Sequence, residues 1–178
     1  MDTRGKTVSL RPTGRQRPGE WAGYASCVCG LLFAVPNFYW ALGGTIGLDT
    51  LGEWAVQLAA TRDPWVMAVL GITAVLKVSG GLFGLALVQP WGRAFPRWMM
   101  LTAGWGGTLL LILYGGLQVG AQALVAIGVI PAPANMDWWA FYWHLFLWSP
   151  WFLVWGILLG LAVWHYQRSS RTRQAEYN

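Results

Sequence analysis

Charged side chains are scarce in this chain: 11% of its 178 residues are Asp, Glu, Lys or Arg, against about 25% in soluble domains. So few charges cannot clothe a water-facing surface, which excludes an ordinary soluble globule. Cysteine is nearly absent, with two residues, so no disulfide framework is available. Cys27 and Cys29 stand two apart in an apolar run, and on a helix they diverge by about 200° and cannot bridge. Both read as small packing residues. Histidine is equally rare, and the seven acidic residues all fall in connections or at span edges. Paired carboxylates, a metal cluster and a nucleophile–base pair are therefore missing from the pattern, which argues against an enzyme and implies no metal and no cofactor. Lys77 and Ser79 do not rescue a hydrolase, because two helical positions apart they point away from each other.

Apolar residues make up 56% of the chain, and there are 14 Trp and 23 Gly. Runs of this character exceed the roughly 18 residues that separate a membrane span from a core helix. Four spans are expected, at about 21–42, 64–88, 98–122 and 138–166. The first opens at Trp21, carries Pro36-Asn37 inside it and lacks a small-residue cleavage site, so it reads as an uncleaved span. The second opens at Asp63-Pro64-Trp65, an N-cap followed by proline at the first helical position. It closes at Gln89-Pro90-Trp91. Apolar sequence then continues from Trp98 to Ile130, about 50 Å of helix against a core of about 30 Å. That segment must tilt, bend at Gly115-Gly116 or project outward. Pro131 and Pro133 end it. For the fourth span two versions stay open. A long helix from Trp138 kinks at Ser149-Pro150, or 138–149 lies at the outer surface and a short span starts at Ser149; the first is favoured. The fold class is thus all-α, a polytopic bundle of four transmembrane helices over 20–167.

Basic residues are distributed as a topology signal. Arg4, Lys6, Arg11, Arg15 and Arg17 lie in a proline- and glycine-bearing arm at 1–19 that reads as disordered. Arg93 and Arg97 lie in the central connection, and Arg168, Arg171 and Arg173 in the tail at 168–178. Short cytoplasmic segments retain Lys and Arg, so both termini are placed in the cytoplasm and nucleic acid is not the expected partner. The connection holding Asp49, Glu53 and Asp63 is acidic and external. Within it Thr50 and Glu53 have capping-box spacing, and Leu51, Trp54, Ala55 and Leu58 share a helical face, so a short external amphipathic helix is expected. Trp40, Trp54, Trp65, Trp138, Trp139 and Trp143 gather toward the outer interface. Trp21, Trp91, Trp98 and Trp164 gather toward the inner one, the depths that amphipathic rings prefer.

Several strings carry a resemblance. Phe38-Tyr39-Trp40-Ala41-Leu42-Gly43-Gly44-Thr45 with Gly47-Leu48-Asp49-Thr50-Leu51-Gly52, then Val88-Gln89-Pro90-Trp91-Gly92-Arg93, then Trp143-His144-Leu145-Phe146-Leu147-Trp148-Ser149-Pro150-Trp151, resemble a family of small actinobacterial membrane proteins known only as a domain of unknown function. Tyr39-Trp40-Ala41-Leu42-Gly43-Gly44 is the most specific piece. The resemblance implies four spans and a cell-membrane location, in a bacterial inner or plasma membrane. It brings no activity, ligand or catalytic residue.

Lys77 is the one charged residue deep in a span. It lies 12 residues from both Trp65 and Gln89, about 18 Å from either end, too far for its stem to snorkel to water. A central lysine costs about 2.5–3.5 kcal/mol on insertion scales, so it requires a partner, a wet cavity or loss of its proton. No carboxylate is expected at its depth. Thr108, Tyr114 and the Phe146 carbonyl freed by Pro150 are candidate neutral partners. The alternatives are a structural lysine bound to carbonyls and water, and a site for an anionic or carbonyl-bearing ligand made of Lys77, Tyr114, Thr108 and Asn37. Asn37 is expected mainly to bond the carbonyls that Pro36 frees. His144 and His165, about 31 Å apart on one helix, cannot share a metal and read as outer and inner interface anchors. Gly80-x-x-x-Gly84 and Gly116-x-x-x-Gly120 are small-residue motifs for close helix approach, expected to pack within the bundle.

Two functional classes survive: a non-enzymatic accessory or scaffold protein, and a small transporter or binder of a lipid-like or anionic ligand centred on Lys77. Membrane lipids are the expected partners, with another membrane protein or a second copy as further ones. Epitope tags at either terminus are expected to be shielded in intact cells and to react after permeabilisation; labelling of either tag from outside would overturn the topology.

Overall fold

A computed structural model describes residues 19–175; all but Gly19 of the basic arm assigned to 1–19, and the last three residues, lie outside the described residues. The architecture is all-α. Helix α1 is Glu20–Ala41, α2 Glu53–Ala60, α3 Pro64–Ala86, α4 Arg97–Ala126, α5 Trp138–Trp143 and α6 Ser149–Ala175. Four helical segments are long and apolar enough to cross a membrane: Glu20–Ala41, Pro64–Ala86, Arg97–Ala126 and Trp138–Ser169. The last is α5 and α6 joined without a break through a π-helical turn, His144–Trp148. Pro150 has no N–H to donate to the preceding turn, and the wider turn absorbs that mismatch. The helical path from Trp138 through Ser149-Pro150 is thus continuous, as the long-helix version requires.

Helix starts follow local chemistry. Asp63 Oδ1 accepts from the Trp65 amide at 2.8 Å and Pro64 takes the first position of α3, as the sequence indicates. Asp137 Oδ1 accepts from the Ala140 amide at 3.1 Å and caps α5. The capping box at Thr50 does not form. A 3-10 turn occupies Leu48–Leu51, and α2 starts after Gly52, whose φ of 115° only glycine adopts easily. The Thr50 hydroxyl instead bonds the Gly47 carbonyl and accepts from Trp148 Nε1. The face of α2 also differs from expectation. Ala55, Val56 and Ala59 pack inward with Leu51, while Trp54 and Leu58 are exposed.

The helices pack in the order α3, α1, α6, α4. Lipid chains are as apolar as leucine, so helix association relies on close approach and dispersion. The α1–α3 seam is built for this. A Cβ on Gly30 would lie 2.9 Å from the Gly81 Cα and 2.7 Å from Trp155 Cζ2, and one on Gly84 would meet Ser26. On the α4–α6 seam, Gly104 receives Val163, Gly115 the Leu153 backbone, Gly156 receives Ile112 and Gly160 receives Thr108. Of the two small-residue motifs, Gly80 and Gly84 pack within the bundle, against Trp155 and Ser26. Gly120 faces open space and Gly116 barely reaches Leu153, so the α4 motif points outward, contrary to expectation. Gly115 takes the inward position instead.

Two apolar plugs lie toward the two ends of the bundle. The one at the end that carries both termini, called inner after the expected topology, joins Ala86, Leu87, Met100, Leu159, Ala162 and Val163, with Phe83 against it. The outer one joins Trp40, Leu48 and Ala55, with Leu70 and Trp148 against it. It is pinned by the indole N–H groups of Trp40 to the Ile46 carbonyl and of Trp139 to Asp49 Oδ2, at 3.0 and 2.9 Å. His144 belongs to this outer end, its Nε2 3.5 Å from the Leu51 carbonyl. His165 belongs to the inner end, beside Trp164, whose face carries the Arg168 guanidinium at 3.7 Å.

Overpacking a tight seam costs about 1–3 kcal/mol. Gly30→Leu is therefore expected to lower the unfolding midpoint in mild detergent, whereas Gly120→Leu leaves it unchanged; equal effects would contradict the packing order.

Candidate functional site

The site lies between the two plugs, where α1, α3 and α6 meet. Positions four apart share a helix face, which brings Phe33 and Asn37 of α1 together and Thr73 and Lys77 of α3 together. Lys77 Nζ donates to Asn37 Oδ1 at 2.7 Å. Asn37 Nδ2 donates to Thr73 Oγ1 at 2.9 Å, and Thr73 Oγ1 donates to the Leu70 carbonyl at 2.8 Å. An ammonium has donors only, so the amide of Asn37 is held with its oxygen toward Lys77. Asn37 thus bonds across to α3 rather than to the carbonyls freed by Pro36. The reason is depth: among the described residues the carboxylates of Glu20, Asp49, Glu53, Asp63 and Asp137 sit at helix ends or in the outer connection, so an amide oxygen is the acceptor within reach.

Aromatic rings form the rest of the surround. Lys77 Nζ lies 4.0 Å from the Phe33 centroid and 5.9 Å from that of Phe152, within range for a cation–π attraction that desolvation strengthens. Phe33 is itself boxed by Trp148 and Trp151, stacked at 5.9 and 5.5 Å, and by Phe152 and Trp155 edge-on at 4.6 and 6.4 Å. Trp151 is anchored by its N–H to the Cys29 carbonyl at 3.1 Å. Trp155 is 4% exposed, and its N–H has no hydrogen-bond partner. Its ring edge abuts Gly80, one turn from Lys77.

Of the other expected site residues, Tyr114 is near and Thr108 is not joined to the network. The Tyr114 ring packs edge-on against Phe152 at 4.9 Å, so Phe152 separates it from Lys77. Its hydroxyl accepts from Gln118 Nε2 at 3.4 Å and keeps its own proton to give. Thr108 is buried on the α4–α6 seam against Gly160, its hydroxyl without a partner. The Phe146 side chain is exposed in an apolar groove of about 600 Å³ between α1 and α6, lined also by Tyr24, Val28, Trp151 and Val154. Sequence reasoning missed Phe33, Thr73, Phe152 and Trp155. The i, i+4 spacing of Phe33 with Asn37 and of Thr73 with Lys77 was the available signal.

Chemically, the site has an excess of donors. Lys77 has three N–H groups and one hydrogen-bond acceptor, Trp155 has an unmet N–H, and Tyr114 has a free O–H. Among the described residues, no three of His, Cys, Asp and Glu come together as a metal site.

Four apolar helices around a lysine held by an amide and aromatic faces define a polytopic helical membrane protein with a cationic interior site. The chain belongs to the family described as "Protein of unknown function (DUF3995)", which matches residues 30–159. No curated protein and no solved structure matches the chain.

Leaving a buried donor unmet costs about 1–3 kcal/mol, more when it is charged. Asn37→Leu is expected to destabilise the protein in denaturant titration, and Lys77→Met in the same chain to recover much of that loss. Additive single-variant effects would mean that the two side chains are not coupled.

Proposed function

We propose that this is a non-enzymatic protein of the cell membrane that binds an anionic or carbonyl-bearing amphiphile at Lys77, with both termini in the cytoplasm. The observation that carries it is the donor excess around one uncompensated positive charge. A guest offering only acceptor oxygens would satisfy the spare N–H groups of Lys77 and the indole N–H of Trp155. A carboxylate has about four lone-pair sites for such bonds. Charge pairing in a dry interior is stronger than in water, and Asn37 and Phe33 hold the ammonium in place before any ligand arrives.

A second reading, an accessory protein docked on a larger membrane assembly, is favoured by the outward glycines of α4. Gly120 faces open space and a Cβ on Gly116 would meet only Leu153 Cδ1 at 4.0 Å, which leaves the kind of small-residue surface on which another helix packs closely.

Gentle detergent extraction followed by mass spectrometry of bound small molecules separates the two. An anionic amphiphile retained by wild type and lost from Lys77→Met supports the ligand site. Co-purifying protein lost from Gly120→Leu, with no small molecule in either variant, supports docking and removes the first reading.

A further inference from the structure

Resting on the Lys77 reading, we infer that the ligand is a long-chain carboxylate that enters sideways from the lipid, between α3 and α4. Three observations lead there. Apolar residues flank the site toward both ends. Leu70, seven residues outward of Lys77, packs into the outer plug with Trp40 and Trp148, and Phe83, six residues inward, packs into the inner one with Met100 and Val163. A water-borne anion would therefore have to pass apolar side chains to arrive along the bundle axis.

One side is open. α3 packs along α1 and α4 along α6, but α3 and α4 do not pack along each other. They meet near the inner end, where a Cβ on Gly104 would lie 3.5 Å from Phe83 Cε1. Farther out, Phe152 of α6 floors the gap, with Lys77 toward the α3 side and Tyr114 toward the α4 side. Tyr114 is 49% exposed, and Leu110 and Leu117, which share its helix face, are 66% and 72% exposed. In a bilayer that exposure is to acyl chains, so the mouth of the gap is apolar and its interior is cationic.

Charge fixes the head group. One lysine with neutral donors balances a single negative charge. A phosphate monoester, at about −1.5 to −2, would bury an excess. A carbonyl alone would leave the ammonium uncompensated. Depth then favours a carboxylate over a phosphodiester lipid. Lys77 lies 13 residues from Pro64 and 9 from Ala86, about 20 and 14 Å from the ends of its helix, and a phospholipid would have to draw its glycerol and both chains to that level. A carboxylate brings one chain.

The test uses oleic acid bearing a photoactivatable diazirine on its chain, added to the full-length protein in uncharged nanodiscs, with adducts mapped by peptide mass spectrometry. Adducts are expected on the α3–α4 flank, at or beside Leu110, Tyr114 and Leu117, and labelling is expected to fall by about tenfold, equivalent to 1.4 kcal/mol, in Lys77→Met. Leu110→Trp, a change on an exposed face, is expected to slow labelling while leaving the fold intact by circular dichroism. Adducts confined to the α1–α6 groove at Tyr24, Val28 and Val154 would overturn lateral entry, as would equal protection by soluble acetate. Stronger protection by phosphatidylglycerol than by unlabelled oleate would overturn the carboxylate assignment. Labelling of the α3–α4 flank that Lys77→Met leaves unchanged would remove the underlying site itself. Should Lys77→Met fold poorly, Lys77→Gln paired with Leu110→Trp reads the same contrast.

Discussion

Inside hydrocarbon no water is expelled when two helices meet, so the bundle depends on how closely its backbones can approach. The α1–α3 seam supplies that approach: Gly23, Gly30, Gly81 and Gly84 leave no room for a methyl group between the helices. Because α1 is held so tightly to α3, Phe33 and Asn37 are fixed opposite Thr73 and Lys77. The α4–α6 seam does the same for the other half, with Gly104, Gly156 and Gly160 receiving Val163, Ile112 and Thr108 and Gly115 the Leu153 backbone. The two halves are joined through α1 and α6, and the aromatic box around Phe33 is the joint.

The same lack of water gives Lys77 its consequence. At a surface its charge would be solvated and of little note. Between two apolar plugs it must be served by the protein, and the protein supplies one amide oxygen at 2.7 Å and the face of Phe33 at 4.0 Å. Aromatic faces offer electron density without introducing a negative charge. The ammonium is thus positioned and partly satisfied while its charge stays unpaired. A structural salt bridge would have consumed the charge; an amide and a ring hold it ready.

Much of this was legible along the chain. Length and apolarity gave the four spans, Asp63-Pro64 gave the start of α3, and the proline at 150 gave the distortion that the π turn at His144–Trp148 absorbs. Lys77 stood out because a charge in the middle of an apolar run needs an explanation. The details that failed are those where a side chain had two eligible partners. Thr50 could cap a helix or serve Trp148, and it serves Trp148. Asn37 could bond its own helix or α3, and it bonds α3. The α4 glycines could face inward or outward, and helical spacing alone does not say which.

Amino-acid order by itself therefore determined the solvent, the number of apolar segments and the depth of the mid-span charge. These follow from local quantities, the polarity of each residue and the 1.5 Å that each adds to a helix. Only the tertiary structure decided which helices are neighbours, which acceptor Lys77 finds, and on which side the bundle stays open. The reason is that a nearly uniform apolar helix carries little record of its own rotation about its axis. That rotation is set by the fit of glycines against rings and of an ammonium against an amide, contacts such as Gly30 with Trp155, 125 positions apart in the chain, and Asn37 with Lys77, 40 apart.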